Sequence, residues 1–208
     1  MTRLLNGIVA FGSVLLLAVT LIGAGFAAVA IPDAATATLS RALSGCDQPK
    51  TPFTADELAS MAIAGKHYTF DDNDREKLDA AIAKANAATE ANGRTNALSR
   101  ESAARTLPAD AISHLDDVYR VASVAKPALV IVAVLCIAGL AHVAVRISRR
   151  ALGCTFMAGG GLVLATFCAL GAWAAIDFDG LFAAFHSLFF QAGTWTFPYD
   201  SLLITLYP

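Results

Sequence analysis

Apolar positions along this chain fall in long unbroken blocks, not in the alternating or 3.6-residue patterns of half-buried strands and helices. The first block runs from Leu4 to Ile31 without a charge, the second from Pro127 to Val145, the third from Leu152 to Ile176. A hydrocarbon layer about 30 Å thick takes about 20 residues of helix to cross at a rise of about 1.5 Å each. The pattern therefore predicts an all-α membrane protein with three transmembrane helices, 4–31, 127–145 and 152–176. Within one membrane domain, residues 1–208, it also predicts a polar insertion, 32–126, and a tail, 177–208.

Shorter periodicities organise the insertion. Residues Pro32 to Pro52 are rich in Ala, Thr and Ser and read as a linker. In "FTADELASMAIAG", Thr54 is followed three residues later by Glu57, the signature of a capping box opening a helix. "DDNDREKLDAAIAKANAA" reads as a second helix with an acidic first turn that suits the helix dipole. Its apolar face, Leu78, Ile82 and Ala85, is thin and fits a helix lying on the rest of the domain. Asn92 to Thr106 has turn residues and no period, which makes it a loop. "LPADAISHLDDVYRVASVAK" is a third helix, with Pro108 near its first turn, running through Lys126 and Pro127 into the second span. The tail holds six of the twelve phenylalanines and one of the two tryptophans. Mixed there with Asp, Gln and Pro, they predict an aromatic segment lying at the lipid interface. A further apolar run, "SLLITLY", precedes Pro208.

Composition agrees: 56% of residues are hydrophobic and the mean hydropathy is +0.58. A net charge of -2 and no basic patch exclude a nucleic-acid partner. The polar insertion holds 14 of the 17 acids and 11 of the 15 bases. The other bases, Arg3, Arg146, Arg149 and Arg150, flank the spans on one side. The positive-inside rule places them in the cytoplasm, which puts 32–126 and 177–208 outside. "AVA" at Ala28 to Ala30 imitates a signal-peptide cleavage site, but the apolar run before it is about twice a usual signal core, so an uncleaved anchor is expected. "LSGC", Leu43 to Cys46, resembles a lipidation box yet is separated from the apolar run by Pro32, Asp33 and Arg41. Cys46 has no external partner for a disulfide, and Cys136, Cys154 and Cys168 read as small apolar packing residues.

Candidate chemistry rests on four histidines. His142, at the cytoplasmic end of the second span, reads as interfacial, and His67 as a solvated loop residue. His114 and His186 each lie within about a dozen residues of the outer boundary, where ionisable groups point to function. On a helix His114 shares a face with Asp117, whose carboxylate can accept the imidazole N–H and fix its tautomer, whereas Asp116 points elsewhere. The matching ordinary reading is a surface ion pair. His186 lies among Phe182, Phe185, Phe189 and Phe190, a wall of hydrocarbon that favours a neutral imidazole able to act as a base. Its ordinary reading is a buried, satisfied histidine. Ser113 and Ser187 point away from their histidine neighbours. No GxSxG, HExxH or phosphate loop occurs, and the spacing of His67, His114 and His186 encodes no zinc site, so no metal or cofactor is expected. "GGG" at Gly159 to Gly161 fits close helix packing.

"ISHLDDVYRV" before a span, then "FHSLFFQAGTWTF" and "DSLLITLYP", resembles the small bacterial integral membrane proteins that include lipoprotein intramolecular transacylase. The likeness runs from about Phe53 to Pro208. It implies an enzyme of the bacterial cytoplasmic membrane acting at the outer face on diacylated lipoproteins and membrane lipid. The implied reaction moves the sn-2 acyl chain of the diacylglyceryl group to the amine of the N-terminal cysteine. The family's two functional histidines fall on His114 and His186. Trp195, in the same motif, joins the four phenylalanines as a substrate-binding candidate. The family also has a fourth span after the "LYP" position. O-to-N acyl migration requires a neutral amine, a base and a water-excluding groove for acyl chains, which the phenylalanines would line. A non-catalytic envelope protein whose external domain binds a partner is the competing reading, followed by a metal-dependent membrane hydrolase. The substrate lipoproteins and the oligomeric state are not encoded.

Overall fold

The computed structural model describes residues 2–43, 51–94 and 102–207. Among them the chain is helical, without strands: α1 (Thr2–Ala30), α2 (Asp33–Leu43), α3 (Ala55–Phe70), α4 (Arg75–Ala91), α5 (Ser102–Arg105), α6 (Ala109–His142), α7 (Arg149–Ile176), α8 (Phe178–Ser187) and α9 (Leu202–Leu206). A π-helical turn, Val143–Ile147, links α6 to α7. Three helical stretches are long and apolar enough to cross a membrane: Thr2–Ala30, Ala109–Ile147 and Arg149–Ile176. The third helix of the insertion and the second span are one continuous helix, α6, with Pro127 inside it. The chain divides into two compact units, Met1–Ala28 with Val124–Leu188, and Val29–Ser123 with Phe189–Pro208.

The first unit is a membrane unit held by small residues. A Cβ on Gly23 would lie 2.8 Å from the Leu129 side chain, and one on Gly159 only 2.7 Å from Leu17. Gly139 is likewise closed off by the Ser13 hydroxyl. So α1 approaches both α6 and α7 where one partner has no side chain, as membrane helices do without water to drive them together. Of the three glycines 159–161 only Gly159 serves this contact; Gly160 and Gly161 face open space. Leu4, Phe11, Val130, Ile137, Met157 and Leu164 are exposed, an arrangement suited to acyl chains and untenable in water. At the end of α6, His142 Nε2 donates to Asn6 Oδ1 on α1 at 3.1 Å.

The second unit has its own core, centred on Leu58, Met61, Leu78 and Leu202, each 2% exposed or less. α3 opens as the sequence predicts: Thr54 N–H donates to Glu57 at 2.8 Å, and Thr54 Oγ1 accepts from Glu57 N–H at 3.3 Å. Arg94 then grips the Glu57 carboxylate with two nitrogens, at 2.6 and 2.8 Å. α4 starts at Asp74, which accepts from Glu76 N–H at 3.0 Å. The preceding Asn73 takes a left-handed φ of 53°, which Asn tolerates. The thin face of Leu78, Ile82 and Ala85 is buried.

Three segments differ from the sequence reading. The linker contains α2, whose Asp33 and Arg41 stand in its first and last turns and complement its dipole. Pro32 ends α1 and its carbonyl begins the new helix. The ammonium of Lys66, only 7% exposed, donates to Ile31 C=O at 2.8 Å and pairs with Asp33, holding that carboxyl below its ordinary range. Within the expected loop, Ser102–Arg105 forms α5, tied to α4 by Arg105 Nη2 on Glu90 at 2.7 Å. In the tail, only α8 belongs with the membrane unit. From Phe189 onward the chain packs with the second unit, and the apolar run "SLLITLY" forms α9, whose Leu202, Leu203 and Leu206 enter a protein core and not a lipid interface. Cys46 and most of "LSGC" lie outside the described residues.

Glu57 yields a measurable consequence. Hydrogen bonding from Arg94, ahead of the opposing cost of burial, lowers its pKa from 4.5 to about 2. A carboxyl with a depressed folded-state pKa stabilises the fold above its unfolded value and loses that contribution as pH falls. Between pH 4.5 and 2 the wild type should lose on the order of 2 kcal/mol more stability than Glu57→Gln, whose amide keeps the cap but not the charge. Chemical unfolding in detergent across that range tests this; parallel pH profiles would refute it.

Candidate functional site

The two singled-out histidines stand on different elements and in different units. His114 lies on the part of α6 that belongs to the second unit, half-buried. Phe190 meets its ring edge-on, with centroids 4.9 Å apart at 67°, and Phe197 packs beside it at 5.5 Å. Both phenylalanines come from the arc 189–200. That arc is shaped by a turn in which Thr194 N–H donates to Gln191 C=O at 3.3 Å. Gly193, at φ 87°, takes the left-handed position that such a turn requires. Trp195 is half-buried in the same arc, and Phe189 lies 6.2 Å from Phe190.

Asp117 is engaged on its own surface. It is 30% exposed and accepts from Arg120 Nη1 at 2.6 Å, so its negative charge is shared with a guanidinium three residues on. Asp116 points elsewhere, as expected. It accepts the Tyr68 hydroxyl, and with it the burial of Tyr68 raises that phenol to about 12, burial being the larger cause.

His186 sits in the last turn of α8, within the membrane unit. Its Nδ1 lies 2.8 Å from Phe182 C=O. A carbonyl only accepts, so Nδ1 carries the proton and the neutral ring has its lone pair on Nε2. Phe182 stacks tilted at 3.9 Å and Phe185 stands edge-on at 5.5 Å. The wall differs from the sequence picture in two respects. α8 ends at Ser187, so Phe189 and Phe190 do not follow on a helical turn, and Phe190 packs on His114 instead. Nor is the ring enclosed: it is half-exposed, with Phe182 at 41%, Phe185 at 54% and Phe189 at 48% exposure.

His67 ends α3 and is not in a loop. Its Nε2 stands 3.0 Å from Asp33 and its Nδ1 bonds Asp71. Among the described residues no three His, Cys, Asp or Glu side chains converge in a way that could hold a metal ion. Phe197 was missed by sequence reasoning, although its place in "TWTF" beside the other aromatics was a usable signal.

The model of the family Lipoprotein intramolecular transacylase Lit matches residues 77–208, well over half of the chain and a span that includes both histidines. No curated protein and no solved structure matches.

The His186 geometry makes a direct spectroscopic prediction. In 15N spectra of the histidine-labelled protein above the ring's titration, His186 should show a protonated Nδ1 and an unprotonated Nε2. The reverse tautomer would mean that the Phe182 carbonyl does not hold the ring.

Proposed function

The chain belongs to the lipoprotein intramolecular transacylase family, and on that footing we propose that it moves the sn-2 acyl chain of a diacylglyceryl lipoprotein to the amine of the lipidated N-terminal cysteine. The observation that carries this reading is the family match across both His114 and His186. The local geometry of His186 supports it. With Nδ1 occupied by a backbone carbonyl, His186 presents Nε2 as the base.

Nε2 accepts the amine proton as the nitrogen attacks the ester carbonyl. The C–N bond forms, the sn-2 C–O bond breaks, and the imidazolium returns the proton to the departing glycerol oxygen. His114 donates its N–H to the carbonyl oxygen as charge develops there. Nucleophile and ester are on one lipid, so most of the acceleration comes from holding them together out of water. Phe182, Phe185, Phe189 and Phe190, with Trp195, supply apolar surface for the acyl chains, and Asp117 biases the electrostatics of α6 beneath His114.

The reaction takes place at the outer face of a bacterial cytoplasmic membrane, with the N-terminus inside. Arg149 and Arg150 open α7, a position that the helix dipole disfavours for cations. Their placement answers to topology, not helix stability.

Mass spectrometry of lipoprotein N-termini tests the reaction: cells with the protein should carry the N-acyl lyso-form, and cells without it the diacylated form. His186→Ala and His114→Ala should each lower transfer by about 100-fold or more while melting stays near wild type. Asp117→Asn should cost less than about tenfold, because the amide still bonds but carries no charge. Full activity in either alanine variant ends the catalytic reading of that histidine. For the topology, a cysteine placed at Asn92 should react with an impermeant thiol reagent in whole cells; protection there reverses the assignment.

A further inference from the structure

We infer that Gly65 and Tyr207 form a lock that positions His114, acting through α9 and Phe197. The inference rests on the reading of His114 as part of the reaction, and it adds positioning residues that the histidine motifs do not include.

The contacts form a closed circuit within the second unit. Gly65 is a buried position on α3 where the backbone is bare. The Tyr207 hydroxyl sits over it and donates to Ala62 C=O at 3.3 Å. A Cβ at residue 65 would overlap that hydroxyl, while the next ring atom, Cζ, would be 3.4 Å away, an ordinary contact. Tyr207 is 43% exposed as a whole, but its hydroxyl end is sunk, and burial raises its pKa. It thus pins the end of α9 to α3.

The start of α9 is equally fixed. Ser201 is 3% exposed and caps the helix, and Leu202 is fully buried. One tight turn, Ser201 N–H to Pro198 C=O at 3.0 Å, joins this buried start to Phe197. Phe197 packs both on the core and on the His114 ring.

The circuit closes through α6. Tyr68, three residues after Gly65 on α3, donates its hydroxyl to Asp116, two residues from His114. One helix therefore holds both the element that carries the imidazole and the element that packs beside it. Neither Gly65 nor Tyr207 touches the ring, so they are positioning residues.

The steric fit supplies its own rescue experiment. Gly65→Ala should push Tyr207 away, loosen Phe197, lower kcat about tenfold with KM little changed, and speed carbethoxylation of His114 followed by peptide mass spectrometry. Tyr207→Phe in the same chain removes the overlapping oxygen and, in exchange for the bond to Ala62, lets the added methyl pack on ring carbons Cζ and Cε2 at 3.4 and 3.8 Å, so Gly65→Ala/Tyr207→Phe should recover most of both readouts. Tyr207→Ala, which removes the lock without a clash, should behave like Gly65→Ala. Ile82→Val serves as control: it thins the same core from α4 and should lower melting without changing His114 reactivity. Wild-type His114 reactivity in both Gly65→Ala and Tyr207→Ala overturns the lock. So does failure of the double variant to recover when Tyr207→Ala leaves His114 unchanged. Altered reactivity with full acyl transfer would instead remove His114 from the chemistry, a failure of the underlying reading and not of the lock.

Discussion

Tyr68 donates its hydroxyl to Asp116, and through that bond α3 holds the stretch of α6 that bears His114. Tyr68 is 4% exposed, so losing its half-buried carboxylate acceptor would leave the phenol hydroxyl without a partner in a largely dry setting. The other elements of the second unit take their places around the same helix. Its N-terminus is fixed by Thr54, Glu57 and Arg94, and its last turns reach the corner between α1 and α2 through Lys66 and His67. Its bare patch at Gly65 receives α9. α3 is accordingly polar where it meets helix ends and featureless where it must be approached closely.

The membrane unit solves a different problem with the same device. Without water to expel, helices gain by surface contact alone, and Gly23, Gly139 and Gly159 let Leu129, Ser13 and Leu17 come close. The charged residues are kept at the ends. The chain thus places its hydrocarbon outward in one unit and inward in the other.

Much of this was legible in the sequence because long apolar blocks admit few alternatives. The capping box at Thr54 and the continuity of α6 were equally readable, being local patterns. What escaped reading depends on contacts distant in sequence. α2 looked like a linker since its dipole partners, Asp33 and Arg41, matter only once Lys66, some thirty positions on, fixes the corner. The fate of "SLLITLY" turned on whether a core existed to receive it, and that core is assembled from α3, α4 and α6. His186 was rightly seen among phenylalanines. Helix periodicity was extended past Ser187, however, where the chain leaves α8 and sends Phe190 to the other histidine. Asp117 accepts from Arg120, a bond that the spacing of three also allows beside the reading with His114.

The hydrogen bond from His186 Nδ1 goes to the main chain at Phe182, not to a side chain. Whatever amino acid occupies position 182, the carbonyl remains, so substitutions there remove the ring packed on His186 at 3.9 Å but keep the acceptor that fixes its tautomer. A scan by side-chain replacement would accordingly give residue 182 no part in proton handling. Sensitivity lies instead in the helical turn itself. Unwinding the last turn of α8, with every side chain retained, would free the imidazole to take either tautomer. The tautomer of this ring is thus stored in backbone conformation and not in a neighbouring carboxylate.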